Sequence, residues 1–359
     1  MKHKSIILLV LCMLQQGLAT PSYAAHNSGS GELNVRELIL EHVGDEYGWH
    51  VTRWKGHDVA IPLPVIVRST QTGEWHLFSS ARLHGGHAYE GFVISEEETH
   101  KGKIVETLAN GEVVRPLDIS ITKDVFALVL CSLILVGLIL YCASWYRKRQ
   151  GHPEKSSPSG FIAFMEMAIM SVVDDIAKPC IGKNYKRYTP YLLTVFFFII
   201  FINLVGLIPI FPGGANVTGN TAITVVLALC TFVIVNIFGT KEYWKEIFWP
   251  DVPLWLKPIM IPVEFIGILT KPFALMIRLF ASILAGHALL LGLTCIVFLT
   301  VKLGVGVNSG MTVFSVLLSV FSNFVEILVA YIQAYVFTML SAIYFGLSQV
   351  EPHHAKEAK

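Results

Sequence analysis

The stretch Pro262–Val301 reads PVEFIGILTKPFALMIRLFASILAGHALLLGLTCIVFLTV. It is apolar almost throughout, yet it carries Arg278 within Ile277-Arg278-Leu279-Phe280 and His287 nine residues further on. A guanidinium keeps its proton in a protein, so a cation at mid-membrane depth costs several kcal/mol unless something answers it. A second apolar run, Met311 to Val350, holds one ionisable residue, Glu326, and the amide of Gln333. Together the two runs read as the working part of an ion-translocating membrane protein.

The rest of the chain fits that setting. Of 359 residues 53% are hydrophobic and 15% charged, with mean hydropathy +0.59. Soluble domains carry about 25% charged residues, so the composition is that of an integral membrane protein. A net charge of +1 points to no nucleic acid. Met1 to Ala25 has Lys2 and Lys4, an apolar core from Ile6 to Leu14 and the small-x-small pattern Ser22-Tyr23-Ala24. This pattern predicts a secretory signal over 1–25, cut after Ala24 or Ala25; the core is too short for a first transmembrane helix.

Residues 26–122 are polar and read as a small extracytoplasmic β-rich segment. Glu32 to Val43 has the pattern of an amphipathic helix; Gly48 to Trp54, Val59 to Val67 and Trp75 to Ser80 have that of strands. Eight of the thirteen histidines lie there, His84 and His87 among them, but their spacing matches no metal-ligand pattern and solvated surface histidines are the simpler reading. No cysteine falls between Ala25 and Asp124, so no disulfide framework supports the segment.

Residues 123–359 read as the membrane domain, all-α and polytopic. Five spans are expected, at about 125–146, 188–210, 222–239, 262–300 and 311–348, with an interfacial helix over about 160–178. Arg147, Lys148, Arg149 and Lys155 follow the first span, and Lys183, Lys186, Arg187, Lys241 and Lys245 fall on the same side. The positive-inside rule then puts the N-terminus outside and the C-terminus inside, in a bacterial inner membrane. Asp174 and Asp175 on the interfacial helix read as a wetted face more readily than as an ion path. Trp244, Trp249 and Trp255 make an aromatic belt over Lys241 to Met260.

Glu264 to Phe298 as one helix is ~52 Å long, far beyond a ~30 Å hydrocarbon core. It must tilt steeply, curve or break near Pro272, and its partner has the same excess. Folded as a hairpin about residues 302–310, the two runs bring Arg278 level with Gln333 and His287 level with Glu326. Glu326 and Gln333, seven apart, share a face, whereas Arg278 and His287 look in roughly opposite directions. That arrangement suits two aqueous routes better than one pore. Arg278 can attract a carboxylate but cannot relay a proton; His287 and Glu326 can. Each of these residues alone has a plain structural reading, and Lys271 reads equally as a snorkelling cation. The shared register of the four weighs against the plain readings.

These residues resemble a known family. Glu264-Phe265-Ile266-Gly267 through Lys271-Pro272, then Ile277-Arg278-Leu279-Phe280, Ala285-Gly286-His287, and Glu326 with Gln333, are similar to subunit a of the rotary (F-type) ATP synthase membrane sector. Asn203-Leu204 before Gly206-Leu207-Ile208-Pro209 fits as well, so the likeness spans about 160–350. It implies a non-catalytic stator subunit beside a c-subunit ring and a b-subunit peripheral stalk, with two offset half-channels. Arg278 matches the arginine that faces the ring carboxylate. His287 and Glu326 match the outer half-channel pair, Asn203 would line that route, Glu264 the inner one, and Gln333 would accompany Arg278. Where many relatives have Asn four residues after the arginine, this chain has Ser282, and the N-terminal extension is not part of the common core. No phosphate-binding GxxxxGK[ST] is present, and no cofactor or metal is expected. The rival readings are a proton-coupled secondary transporter with a midplane Arg/Glu/His site, which internal repeats would favour, and a membrane scaffold, which leaves Arg278, His287 and Glu326 without a purpose.

Overall fold

The computed structural model describes residues 44–54, 57–83, 87–95, 100, 102–108, 113–149, 158–208, 214–249, 253, 255–301 and 304–349, with backbone alone at 50–54, 57–60, 298 and 305. The expected signal and the expected helix Glu32–Val43 lie outside the described residues. The chain divides into two compact units: residues up to Leu130 with Gly206–Val217 and Leu290–Val320, and Cys131–Val205 with Thr218–Leu289 and Phe321 onward.

In the first unit, strands β1 (Gly48–Trp54) and β2 (His57–Pro62) pair antiparallel. A three-stranded sheet runs β4 (Trp75–Ser79), β3 (Pro64–Arg68), β8 (Leu117–Asp118), and another runs β5 (Phe92–Ile94), β6 (Ile104–Thr107), β7 (Val113–Val114). The strand expected over Val59–Val67 is two strands, because Pro62 and Pro64 cannot donate to a ladder. Leu63 between them turns aside: its N–H donates to Ser80 Oγ at 3.0 Å and its carbonyl accepts from Ser80 N–H at 3.0 Å.

Val65, Val67, Phe78, Phe92 and Ile104 are buried together with Tyr47. The Tyr47 hydroxyl donates to Asp118 Oδ2 at 2.5 Å; burial, reinforced by that bond, pushes the phenol well above its ordinary range. Burial pushes the Glu106 carboxyl up, but donation from Ser69 Oγ at 2.5 Å and Thr70 N–H at 2.7 Å holds it below the ordinary carboxylate value. The domain is tied to the first long helix, α1 (Lys123–Arg149), where Lys123 N–H donates to Glu46 O at 2.9 Å and Asp124 N–H to Asp45 Oδ1 at 3.1 Å.

The membrane part is helical. After α1 come α2 (Phe161–Ser171), a wider π-helical turn at Val172–Ala177, α3 (Lys178–Ile181) and α4 (Tyr185–Gly206). Phe161–Gly206 together is apolar enough to hold a span, so the expected interfacial helix leads straight into it. α4 ends at Gly206 rather than Ile210, because the chain turns there: a Cβ on Gly206 would sit 3.1 Å from the Ala215 carbonyl. α5 (Thr221–Ile237) is capped by Asn220, whose side chain accepts from Ala222 N–H, and bends by 101° into α6 (Lys241–Phe248). By length and composition the described residues hold four candidate spans, or five with the bent pair counted as one.

α7 (Lys257–Thr300) and α8 (Val305–Ser348) are 44 residues each, about 66 Å. α7 passes through Pro262 and Pro272 without a break, so steep tilt or curvature has to absorb its length. Gly304, at φ +106°, makes the reversal. Beside it Thr300 Oγ1 donates to Asn308 Oδ1 at 3.0 Å, and Ser315 Oγ to Leu293 O at 2.6 Å, which sets the antiparallel hairpin the sequence predicts. In the second unit Leu275 and Leu279 of α7 pack with Ala334, Phe337, Ala342 and Phe345 of α8, and with Leu192, Val195, Phe196 and Ile199 of α4. The far end of α8 is clamped: Thr240 N–H donates to Ser348 O at 2.9 Å, and Gln349 Nε2 to Phe238 O at 2.8 Å.

Candidate functional site

The two long helices place the polar residues in distinct surroundings. Leu275 and Leu279 turn into the core, which carries Ile277 to the opposite side of α7 and Arg278 to its flank, ~80° round the helix; both are exposed. The most apolar window of α7 is only 6% buried, against 39% for Phe161–Gly206, so this helix keeps a long apolar face free for a partner or lipid. The Arg278 guanidinium has no hydrogen bond or ion pair among the described residues; its electrostatic neighbour is Tyr344 of α8.

Glu326 is the reverse case. It is 8% exposed, on the buried stripe of α8 with Ser322, Ala330 and Gln333. Neither carboxylate oxygen has a hydrogen-bond partner among the described residues, and the nearest base is His287, with Nδ1 3.7 Å from Oε1. The expected pairing of His287 with Glu326 is therefore present. Space for it comes from Gly286: a Cβ there would lie 2.7 Å from Glu326 Oε1.

Gln333 is buried with its Nε2 unpartnered, and no hydrogen bond joins it to Arg278 among the described residues. Asn203 on α4 is 6% exposed; its Oδ1 accepts from Thr218 Oγ1 at 2.6 Å, and its Nδ2 has no partner among the described residues. Ser282 bonds back to its own helix: its hydroxyl donates to the carbonyls of Arg278 (2.8 Å) and Leu279 (3.2 Å). Towards the other end of α7, Glu264 is an electrostatic neighbour of Lys271 and Tyr243. The Lys271 ammonium sits 5.5 Å over the Tyr344 ring, in a cleft also lined by Thr231, Asn236, Tyr243 and Pro272. Tyr344 thus stands by both cations, Lys271 and Arg278. Among the described residues no group of His, Cys, Asp and Glu has the makings of a metal site.

The ATP synthase A chain family matches residues 126–346, most of the chain and all of this constellation. The chain belongs to that family. Family membership makes it the proton-translocating stator subunit of the ATP synthase membrane sector, and sets the transporter and scaffold readings aside. It is similar to ATP synthase subunit a of Chlorobium phaeobacteroides, 42% identical over 257 residues that cover 68% of this chain and 71% of the relative. The subunit a of Myxococcus xanthus is 37% identical over 306 residues, 83% of this chain and 90% of the relative. That of Pelodictyon phaeoclathratiforme is 42% identical over 249 residues, 67% and 69%. A domain of unknown function (DUF8433) matches residues 38–120, the β-rich extension.

Sequence reasoning did not find Thr218, Gly286 or Tyr344 as parts of the site. Gly286 stood in plain view beside His287, but its importance is the volume it leaves empty. Tyr344 lies eleven residues beyond Gln333 on α8, so its approach to Arg278 depends on how the two helices cross.

Proposed function

We propose that this subunit moves protons along two routes that meet at a ring of c subunits, with a b-subunit stalk holding it still. Glu326 and His287 form the relay of the outer route, which Asn203 lines. Glu264 and Lys271 belong to the inner route. Arg278 stands between the two, on the free face of α7, and attracts the carboxylate of each ring subunit as it passes. At 4 Å and an effective dielectric of 20 that attraction is about 4 kcal/mol, comparable to the roughly 2.3 kcal/mol that 100 mV supplies per charge. Gln333 borders the arginine from α8. The ring carries the proton from one route to the other and turns as it does so.

In this reading residues 1–25 are a signal, 26–122 an extracytoplasmic segment and 123–359 the membrane domain. The mature N-terminus is periplasmic and the C-terminus cytoplasmic, as the basic last turn of α1 suggests. The observation that carries the proposal is the contrast between Glu326, buried without a donor beside His287, and Arg278, exposed and without an ion-pair partner among the described residues. The test is passive proton conduction through the membrane sector after removal of the catalytic part. Glu326→Gln should reduce conduction at least tenfold while the complex still assembles; conduction at the wild-type rate would leave Glu326 a packing residue.

A further inference from the structure

The sheet β4-β3-β8 in the extension has two apolar faces. Val65, Val67 and Phe78 point into the core. The opposite face follows from the register: Trp75, Arg68 and Leu117 lie in one cross-strand row, Leu77, Ile66 and Ile119 in the next, and Ser79, Pro64 and Ile121 in the third. Seven of these nine positions are apolar. Trp75 is 55% exposed, Leu77 73%, Leu117 56% and Ile119 58%. An antiparallel sheet with one solvated face normally alternates apolar-in and polar-out. A face of this composition marks an interaction surface.

Its size and position narrow the occupant. With strands ~4.8 Å apart and same-face residues ~6.8 Å apart, three rows of three cover roughly 290 Å². A stable interface between two proteins needs about 800 Å² a side, so a second copy of the chain would not be held by it. A bilayer is another matter, because it is always present at the end of a short tether. Only residues 119–122 separate β8 from the first turn of α1, a reach of about 13 Å. The apolar character also continues along the chain, from Leu117 and Ile119 to the exposed Val125 and Val129 of α1. At the row farthest from the helix the Arg68 guanidinium lies 5.9 Å from the Trp75 ring centroid. Tryptophan beside arginine is the composition of a headgroup-level anchor.

We infer that the outer face of β4-β3-β8 is a lipid-docking surface: Trp75, Leu77, Ile66, Leu117 and Ile119 enter the boundary between headgroups and acyl chains, with Arg68 at the phosphates. The extension then lies on the outer leaflet instead of projecting from it, and steadies the outer end of α1.

The test uses the whole complex, reconstituted in phosphatidylethanolamine/phosphatidylglycerol vesicles, with the native cysteines replaced. An environment-sensitive fluorophore is attached at Leu77→Cys, and for comparison at Thr72→Cys on the β3–β4 turn. Brominated acyl chains should quench the Leu77 probe at least twofold more than the Thr72 probe, and aqueous iodide should do the opposite. A Leu77 probe quenched by iodide and not by brominated lipid overturns the inference, as the face is then in water. Quenching by neither also overturns it, since a protein then covers the face. Trp75→Asp, with Leu77 labelled, should shift that probe towards iodide quenching while ATP-driven proton pumping stays intact.

Discussion

Replacing Gly286 with alanine is a sharp test of the relay, because the structure sets its size. The new Cβ would lie 2.7 Å from Glu326 Oε1, 3.2 Å from Cγ and 3.3 Å from Cδ, whereas ordinary contact begins at 3.4 Å. The carboxylate must withdraw by ~0.7 Å, which lengthens its 3.7 Å approach to His287 to ~4.4 Å if the shift is along that line. At an effective dielectric of 20 the attraction between the charged forms falls from about 4.5 to about 3.8 kcal/mol. The difference, about 0.7 kcal/mol, corresponds to about threefold in rate if proton transfer between the two groups limits flow. Gly286→Leu, which fills the space altogether, should bring conduction close to nothing. The assay is proton uptake into potassium-loaded vesicles after valinomycin, in membranes stripped of the catalytic sector, with immunoblots to confirm equal assembly. If both variants conduct at the wild-type rate, proximity of His287 to Glu326 has no part in transport.

Further outcomes follow from other contacts. Thr218→Val takes away the donor to Asn203 Oδ1 and leaves a buried amide oxygen unmet, a cost of about 1–3 kcal/mol; proton conduction should fall severalfold, and an unchanged rate would remove Asn203 from the outer route. A Cβ on Gly346 would run into the Cys180 carbonyl, so Gly346→Ala should destabilise the clamped end of α8 by roughly 1–3 kcal/mol. This should appear as reduced yield of assembled complex and a thermal transition several degrees lower. In the extension, the Glu106 carboxyl is held below its ordinary 4.5, so its stabilising contribution is present above that pH and is lost as pH falls through the depressed folded value. Amide protection over residues 69–74, corrected for the intrinsic exchange rate at each pH, should therefore fall as pH drops below 4.5, and Glu106→Gln should abolish that fall.

The membrane part was legible because hydrophobic runs and intramembrane charges are strong local signals. Arg278, His287, Glu326 and Gln333 announce themselves as polar groups in apolar surroundings, and hairpin register alone brought His287 to Glu326. Length was legible too, but not how the chain would meet it: α7 runs unbroken through Pro272 although a break there was a fair expectation. Two prolines around Leu63 divided a strand that β propensity reads as one. Gly286 and Tyr344 were hidden for a different reason. One acts through space it does not fill, and the other through the angle at which two helices cross, and neither quantity is written in a sequence pattern. The apolar outer face of β4-β3-β8 was equally invisible until the strand register put Leu77 beside Ile66 and Ile119.

Arg278 is proposed to meet a carboxylate carried past it by another subunit. Arg278→Ala in the intact complex, with ATP-driven acidification of inverted membrane vesicles as readout, addresses it most directly. Pumping should be absent while ATP hydrolysis by the catalytic sector continues and the subunit is present at normal level. Acidification near the wild-type rate would contradict it.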